Sequence, residues 1–257
     1  MILNYNYFYF ISALSPEVCD GIIELGLEKM VEIKKEYGEA ATQATTGDDD
    51  LTLSDRSKTG ALPQFDSTIE DIVTQTSNKA DVFVRDSNVS WLNEKWLYEA
   101  IWPYVHEANS RAGWNFEWDH TEDLQFTKYG VNQFYGWHAD AAPFPYEKFD
   151  PEVHEYKLDK DGVPKPALAH HTEIPLMVGK TRKLSVTVSL NDPNEYDGGN
   201  LKFDFGPHQP DRYHTCEEIR PRGSIIIFPS HIHHQVTPVT RGTRYSLVAW
   251  NLGRPFK

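Results

Sequence analysis

The run GSIIIFPSHIHHQVTPVTRGTRYSLVAW, residues 223–250, decides the fold. It holds three β-rich segments, 224–228, 232–239 and 244–250, divided by Pro229-Ser230 and Arg241-Gly242 turn signals. Similar short runs with a period of two precede it, at 124–129, 133–140, 184–190 and 200–205. Asp192-Pro193, Asp197-Gly198-Gly199 and Arg222-Gly223 punctuate them. Seven short strands with no helix between most of them predict a sandwich or jelly roll.

Strand parity sorts the three histidines of this run, His231, His233 and His234. Ile232, His234, Val236 and Pro238 share a face that is apolar apart from the histidine, whereas His233, Gln235 and Thr237 share a polar, solvent-facing one. His234 is therefore the expected ligand. About ninety-five residues upstream, Tyr135-Gly136-Trp137-His138-Ala139-Asp140 places a His-x-Asp on an aromatic strand, with both side chains on one face. Two imidazoles and a carboxylate form the facial set that holds non-heme Fe(II) with open positions, so His138, Asp140 and His234 are the candidate metal ligands. The bland alternative is a set of ordinary polar histidines, with His231 and His233 able to trap zinc adventitiously. His106, His120, His154, His170, His171, His208 and His214 are read as exposed or hydrogen-bonded, not as ligands.

Ten residues beyond His234, Arg244 offers a fixed cation for an anionic co-substrate, and Ser246 shares its face. In a plain hairpin His234 and Arg244 would fall on opposite faces. In a jelly roll, consecutive strands can lie in opposite sheets and both point inward. Phe134, on the His138 parity, and Trp250, on that of Arg244, are candidates to wall the site, although core packing alone would explain either.

The 257 residues suit one large β domain, with 39% hydrophobic residues to form a core. A net charge of −13, from 38 acidic and 25 basic residues, argues against a nucleic-acid or membrane partner. Cys19 and Cys216 make neither a disulfide framework nor a thiolate cluster, and no apolar run is long enough to span a bilayer. The aromatic start, Met1 to Leu14, lacks Lys and Arg and reads as a first strand, and a cytoplasmic location is expected. Ser15-Pro16-Glu17 starts a helix whose stripe is Ile22, Gly26, Met30 and Ile33. Residues 39–66, with Asp48-Asp49-Asp50, read as an exposed, mobile connection, and Asp81 to Arg85 as a short strand. A second helix carries Leu97, Ile101, Val105 and Ala108, with a kink or restart at Pro103. Between the His-x-Asp strand and the next lie residues 141–182, with six prolines. We read this insertion as a substrate-gating lid.

Gln125-Phe126-Thr127-Lys128-Tyr129-Gly130, Tyr135-x-x-His138-x-Asp140, Ser189-Leu190-Asn191-Asp192, Gly198-Gly199-Asn200-Leu201-x-Phe203 and His234 through Gly242 and Arg244 to Trp250 carry a family resemblance. Together they resemble the 2-oxoglutarate- and Fe(II)-dependent oxygenases of the prolyl 4-hydroxylase type, in a bacterial or phage-like form. The resemblance implies a mainly β, α+β fold: a double-stranded β-helix (jelly roll, cupin-like) over 121–257, supported by N-terminal helices within 1–120, in one domain. It implies His138, Asp140 and His234 as iron ligands. It assigns 2-oxoglutarate to Arg244, Ser246 and Tyr129, with O2 as the other co-substrate, ascorbate as a reductant and no catalytic residue beyond the metal centre. Arg stands where collagen-type members carry Lys, and 141–182 exceeds the compact members. The implied activity is hydroxylation of an amino-acid side chain, foremost proline, in a peptide or protein, with a free small molecule as the alternative. If phage-encoded, the protein would act in the host cytoplasm. The contrasting class is a non-catalytic cupin-like metal or ligand binder, which has no need of Arg244.

Overall fold

A computed structural model of the chain describes residues 5–46, 85–142, 144–153, 156–158, 164–166, 171–210 and 212–256. In chain order the strands are β1 (Phe8–Phe10), β2 (Gln43–Thr46), β3 (Arg85–Leu92), β4 (His120–Thr121), β5 (Leu124–Tyr129), β6 (Phe134–His138), β7 (Glu147–Lys148), β8 (Tyr156–Leu158) and β9 (Pro164–Pro166). They continue with β10 (His171–Thr172), β11 (Thr181–Ser189), β12 (Tyr196–Gly198), β13 (Leu201–Asp204), β14 (Tyr213–Thr215), β15 (Ile225–Pro229), β16 (His233–Val236), β17 (Val239–Gly242) and β18 (Arg244–Gly253). Two helices, α1 (Pro16–Tyr37) and α2 (Lys95–Arg111), precede most of them.

The main sheet runs β1-β15-β11-β18-β5-β3-β6-β16-β13-β14, with β2 on β3 and β4 on β18. Strand β3 joins its two halves: Leu92 to Asn88 pair with β5, and Asp86 and Arg85 pair with β6. The sheet thereby curls into two facing layers, β15-β11-β18-β5 and β6-β16-β13-β14, the expected double-stranded β-helix. The layers place β16 and β18 in opposite halves, which excludes the plain hairpin. The expected strand 232–239 ends at Val236, and β17 pairs instead with β12. Pro238 lacks the N–H that would continue the ladder.

The helices cover the outer face of one layer. Ser15 caps α1 by accepting from the Val18 N–H at 3.4 Å, with Pro16 in the first turn. Ile22, Gly26 and Met30 of its stripe are buried, while Ile33 is half-buried. A Cβ at Gly26 would stand 2.3 Å from the Phe126 ring of β5, so only glycine lets the helix lie this close. Gly26→Ala is expected to destabilise the fold by roughly 1–3 kcal/mol through overpacking, read as a lower urea midpoint at unchanged slope. Helix α2 buries Leu97, Ile101, Val105 and Ala108 as expected, but runs unbroken through Pro103. No helix among the described residues is long and apolar enough to cross a membrane.

One further expectation is altered, and two lie partly outside the described residues. Residues 39–46 are not a mobile connection but a 3-10 turn followed by β2, paired with β3; residues 47–84 lie outside the described residues. Of the strand expected at 81–85, Arg85 alone is described, and it belongs to β3, which continues to Leu92. Within the insertion, β7 pairs with β10, and Tyr146 and Met177 pack with Trp250 and Leu252. Residues 143, 154–155, 159–163 and 167–170, on which a lid would depend, lie outside the described residues.

Candidate metal centre and co-substrate pocket

His138 ends β6, and its register partner across the antiparallel ladder is His234 of β16. The two imidazoles therefore stand side by side, with ring centroids 4.2 Å apart. Asp140, two residues past His138, places Oδ1 at 3.6 Å from His138 Nε2 and Oδ2 at 3.6 Å from His234 Nε2. Such distances are too long for hydrogen bonds. Both rings are fixed from behind: His138 Nδ1 lies 2.8 Å from the Gly136 carbonyl and His234 Nδ1 lies 3.0 Å from that of Ile232. A carbonyl only accepts, so each Nδ1 carries a proton and each Nε2 is left to face Asp140. Burial pushes His234 down to about 4, so it stays neutral at neutral pH. Burial alone would raise the Asp140 carboxyl, but His234, His138 and Arg182 hold it well below the usual range. Two imidazole nitrogens and a carboxylate thus converge, a donor set that suits a divalent cation.

Neighbouring groups hold the carboxylate. Ser185 of β11 donates to Asp140 Oδ2 at 2.6 Å and lies 2.9 Å from Ser230 Oγ. Past Asp140, the Ala141 N–H donates to the Ser230 carbonyl at 2.9 Å. Arg182 reaches the Asp140 carbonyl at 3.4 Å and forks onto Glu122 at 2.7 and 2.6 Å, with its guanidinium 4.0 Å above the Trp250 ring.

Arg244 opens β18 opposite Tyr129, 2% exposed, its guanidinium 5.4 Å from the Tyr129 ring. One amino group donates to Ser246 Oγ at 3.2 Å, as the shared face predicts. Among the described residues no carboxylate pairs with it. Burying an unpaired cation costs stability, so the pocket is built for an anion. Gly199, with φ +60°, makes room: a Cβ there would come within 2.8 Å of Arg244 Cδ. Gly199→Ala is expected to displace the guanidinium and weaken anion binding in this pocket, measurable by calorimetry.

The pocket lining continues through Thr127, the register partner of Ser246, to Gln125 and Arg85. Gln125 donates to Thr127 Oγ1 at 2.9 Å, and Arg85 donates to Gln125 Oε1 at 3.2 Å and to Ser87 Oγ at 2.9 Å. Arg85 lies 4.6 Å over the Tyr135 ring, which stacks on His138 with centroids 3.5 Å apart. Arg85 Nη2 and Trp250 Nε1 are buried donors without a partner among the described residues.

Of the candidate walls, Trp250 lies on the site face, since Ser185 is its register partner. Phe134 does not. The β6–β16 register shifts between Tyr135 and His138, and this bulge turns Tyr135 rather than Phe134 toward the metal ligands. His233 is exposed, whereas Gln235, expected in solvent, is 3% exposed. Arg85, Arg182, Glu122 and Ser185 escaped the sequence reading. The available signal was weak: Ser185 shares its face with Lys183, Thr187 and Ser189, a polar row that reads as solvent-facing but is buried.

Residues 124–251 match the model of the 2OG-Fe(II) oxygenase superfamily. A PKHD-type hydroxylase of Xylella fastidiosa strain M23 is 32% identical over 126 residues, 49% of this chain and 42% of that protein. One of Maricaulis maris is 37% identical over 91 residues, 35% of this chain and 37% of that protein. The chain thus spans less than half the length of these curated relatives. Among solved structures, a viral collagen prolyl hydroxylase from Paramecium Bursaria Chlorella virus-1 aligns at TM-score 0.53 and 16% identity, over 97% of each chain. A Pseudomonas putida prolyl-4-hydroxylase aligns at TM-score 0.52 and 15% identity, over 96% of this chain and 93% of that one. These structures share the fold.

Proposed function

We infer that this chain, whose residues 124–251 belong to the 2OG-Fe(II) oxygenase superfamily, is an Fe(II)- and 2-oxoglutarate-dependent dioxygenase that hydroxylates proline in a peptide or protein. The observation that supports this is the presence of two features in one β-helix: three converging metal donors, and a buried arginine that no carboxylate among the described residues pairs with. A metal binder needs only the first; 2-oxoglutarate chemistry needs both. His138, Asp140 and His234 would hold the iron, while Arg244, assisted by Ser246 and Tyr129, would take the distal carboxylate of the keto acid. Bound Fe(II), 2-oxoglutarate and O2 supply the oxidant that replaces a substrate C–H by C–OH.

The protein's own task is to place that C–H bond and to keep water out. Trp250, with Trp91 6.0 Å away, would offer an apolar face for a pyrrolidine ring, while Tyr135 is covered by the His138 ring and the Arg85 guanidinium. Arg85 Nη2 and Trp250 Nε1 each lie one side chain from the metal ligands and would donate to peptide carbonyls. A polypeptide supplies such acceptors in series, which favours it over a free amino acid. The aligned viral protein is named a collagen prolyl hydroxylase, which supports a polypeptide substrate. Ascorbate belongs to the proposal as the reductant that returns oxidised iron to Fe(II).

Incubation with Fe(II), 2-oxoglutarate, O2 and a panel of proline-containing peptides tests the proposal. Succinate release coupled to one added oxygen on proline is expected. Coupled hydroxylation of free amino acids alone would move the substrate to the small-molecule class. Metal binding without any 2-oxoglutarate turnover would leave a binding domain.

A further inference from the structure

We propose that His214, Cys216 and Glu218, with the Tyr7 hydroxyl, form a second metal site for a zinc-type divalent cation, at the seam between the two ends of the curled sheet. β1 begins the sheet order and β14 ends it. Tyr7 directly precedes β1, yet its ring stacks at 5.4 Å on Phe203 of β13 and at 5.4 Å on His214 of β14. Its hydroxyl lies 2.9 Å from His214 Nε2 and donates to Glu218 Oε1 at 2.9 Å. Tyr7 and this cluster therefore close the seam.

Local structure brings the three ligands together. His214 and Cys216 are two apart on an extended edge and share a face, and the Cys216 N–H donates to the Leu201 carbonyl at 2.9 Å, extending the ladder. The Glu217 N–H then bonds back to the Thr215 carbonyl at 3.1 Å, turning the chain so that Glu218 rejoins the other two. One ligand atom from each lies within 4.8 Å of the others, and His214 Nε2 to Glu218 Oε1 is 3.7 Å. The first triad has comparable gaps of 3.6 Å.

Chemistry separates the sites. Imidazole, thiolate and carboxylate make an N, S, O set that suits zinc, whereas the first triad has no sulfur. A thiolate and a carboxylate together neutralise a divalent ion, which matters because Cys216 is 2% exposed. Glu218 Oε2 is buried and has no hydrogen-bond partner among the described residues, so one carboxylate oxygen is free to coordinate. The His214 and Glu218 side chains are 32% and 31% exposed, which leaves an entry path from solvent. Without metal the Cys216 thiol and the Tyr7 hydroxyl both hydrogen-bond Glu218, and a bound cation would take the place of the thiol proton. Bound metal would tie the N-terminal strand to the far edge of the β-helix.

Cobalt(II) is the optical probe. Its titration into a His138→Ala/His234→Ala variant, which lacks the first site, isolates the second. One Co(II) per chain and a near-ultraviolet thiolate charge-transfer band are expected, with Cys19→Ser unchanged. Cys216→Ser should lose the band and Glu218→Gln should weaken binding at least tenfold. Zn(II) should displace the cobalt and raise the melting temperature. No thiolate band in the Cys216-containing protein, or a band that survives in Cys216→Ser, overturns the proposal. If Cys216→Ser fails to fold, Glu218→Gln decides: undiminished cobalt affinity there overturns it equally. None of these readouts depends on oxygenase activity.

Discussion

Alanine at His138, Asp140 or His234 is expected to abolish Fe(II)-dependent turnover, whereas His233→Ala should keep most of it. The contrast between adjacent histidines follows from the β16 ladder, which aims His234 at His138 and sends His233 to the exposed side. Each ligand supplies one of only three protein donors, so the loss should reach background, with metal affinity falling in parallel. Ser185→Ala, which removes the 2.6 Å hydrogen bond to Asp140, leaves all three ligands and should cost about 10–100-fold in metal affinity. Radiometric 2-oxoglutarate decarboxylation and Fe(II) titration measure both. An active His234→Ala beside an inactive His233→Ala would reassign the ligand.

The second large effect is expected at Arg244. Its fork would make two charge-assisted hydrogen bonds to a carboxylate, worth about 1.5–3 kcal/mol each. Arg244→Ala should therefore raise the Kd of 2-oxoglutarate roughly a hundredfold or more, with Fe(II) binding unchanged. Arg244→Lys keeps the charge but loses the planar fork and should fall between. Stability separates this role from a structural one. The guanidinium is buried without an anion, so its removal from the ligand-free protein should not lower the melting temperature. An unaltered Kd, or a protein that simply melts earlier, would remove Arg244 from the co-substrate pocket.

How far these sites were legible depended on whether side-chain parity survived into the structure. Along β16 it did, and His234 could be chosen from three histidines because Ile232 and Val236 flank it on a buried face. On β18 it also held, putting Arg244, Ser246 and Trp250 on one side. On β6 a single bulge broke it, exchanging Phe134 for Tyr135 at the site, and nothing in an alternating pattern marks where a ladder slips. Arg85 was hidden for another reason. Its role depends on β3 bridging the two layers, a long-range pairing that no local periodicity reports. Pro103 illustrates the reverse case, in which tertiary packing of Leu97, Ile101, Val105 and Ala108 carries a helix through a residue that disfavours it. In the sequence His214 reads as an ordinary exposed or hydrogen-bonded histidine. Only the meeting of the sheet's two ends brings Tyr7, Cys216 and Glu218 around it.

Anaerobic titration with Fe(II) and then 2-oxoglutarate tests the central claim most directly. A chelate held by His138, Asp140 and His234 and anchored on Arg244 should give a weak visible charge-transfer band that saturates at one equivalent of each. The band should be absent from His234→Ala and should need far more 2-oxoglutarate in Arg244→Ala. No band in the wild-type chain, or an undiminished band in His234→Ala, would contradict the account.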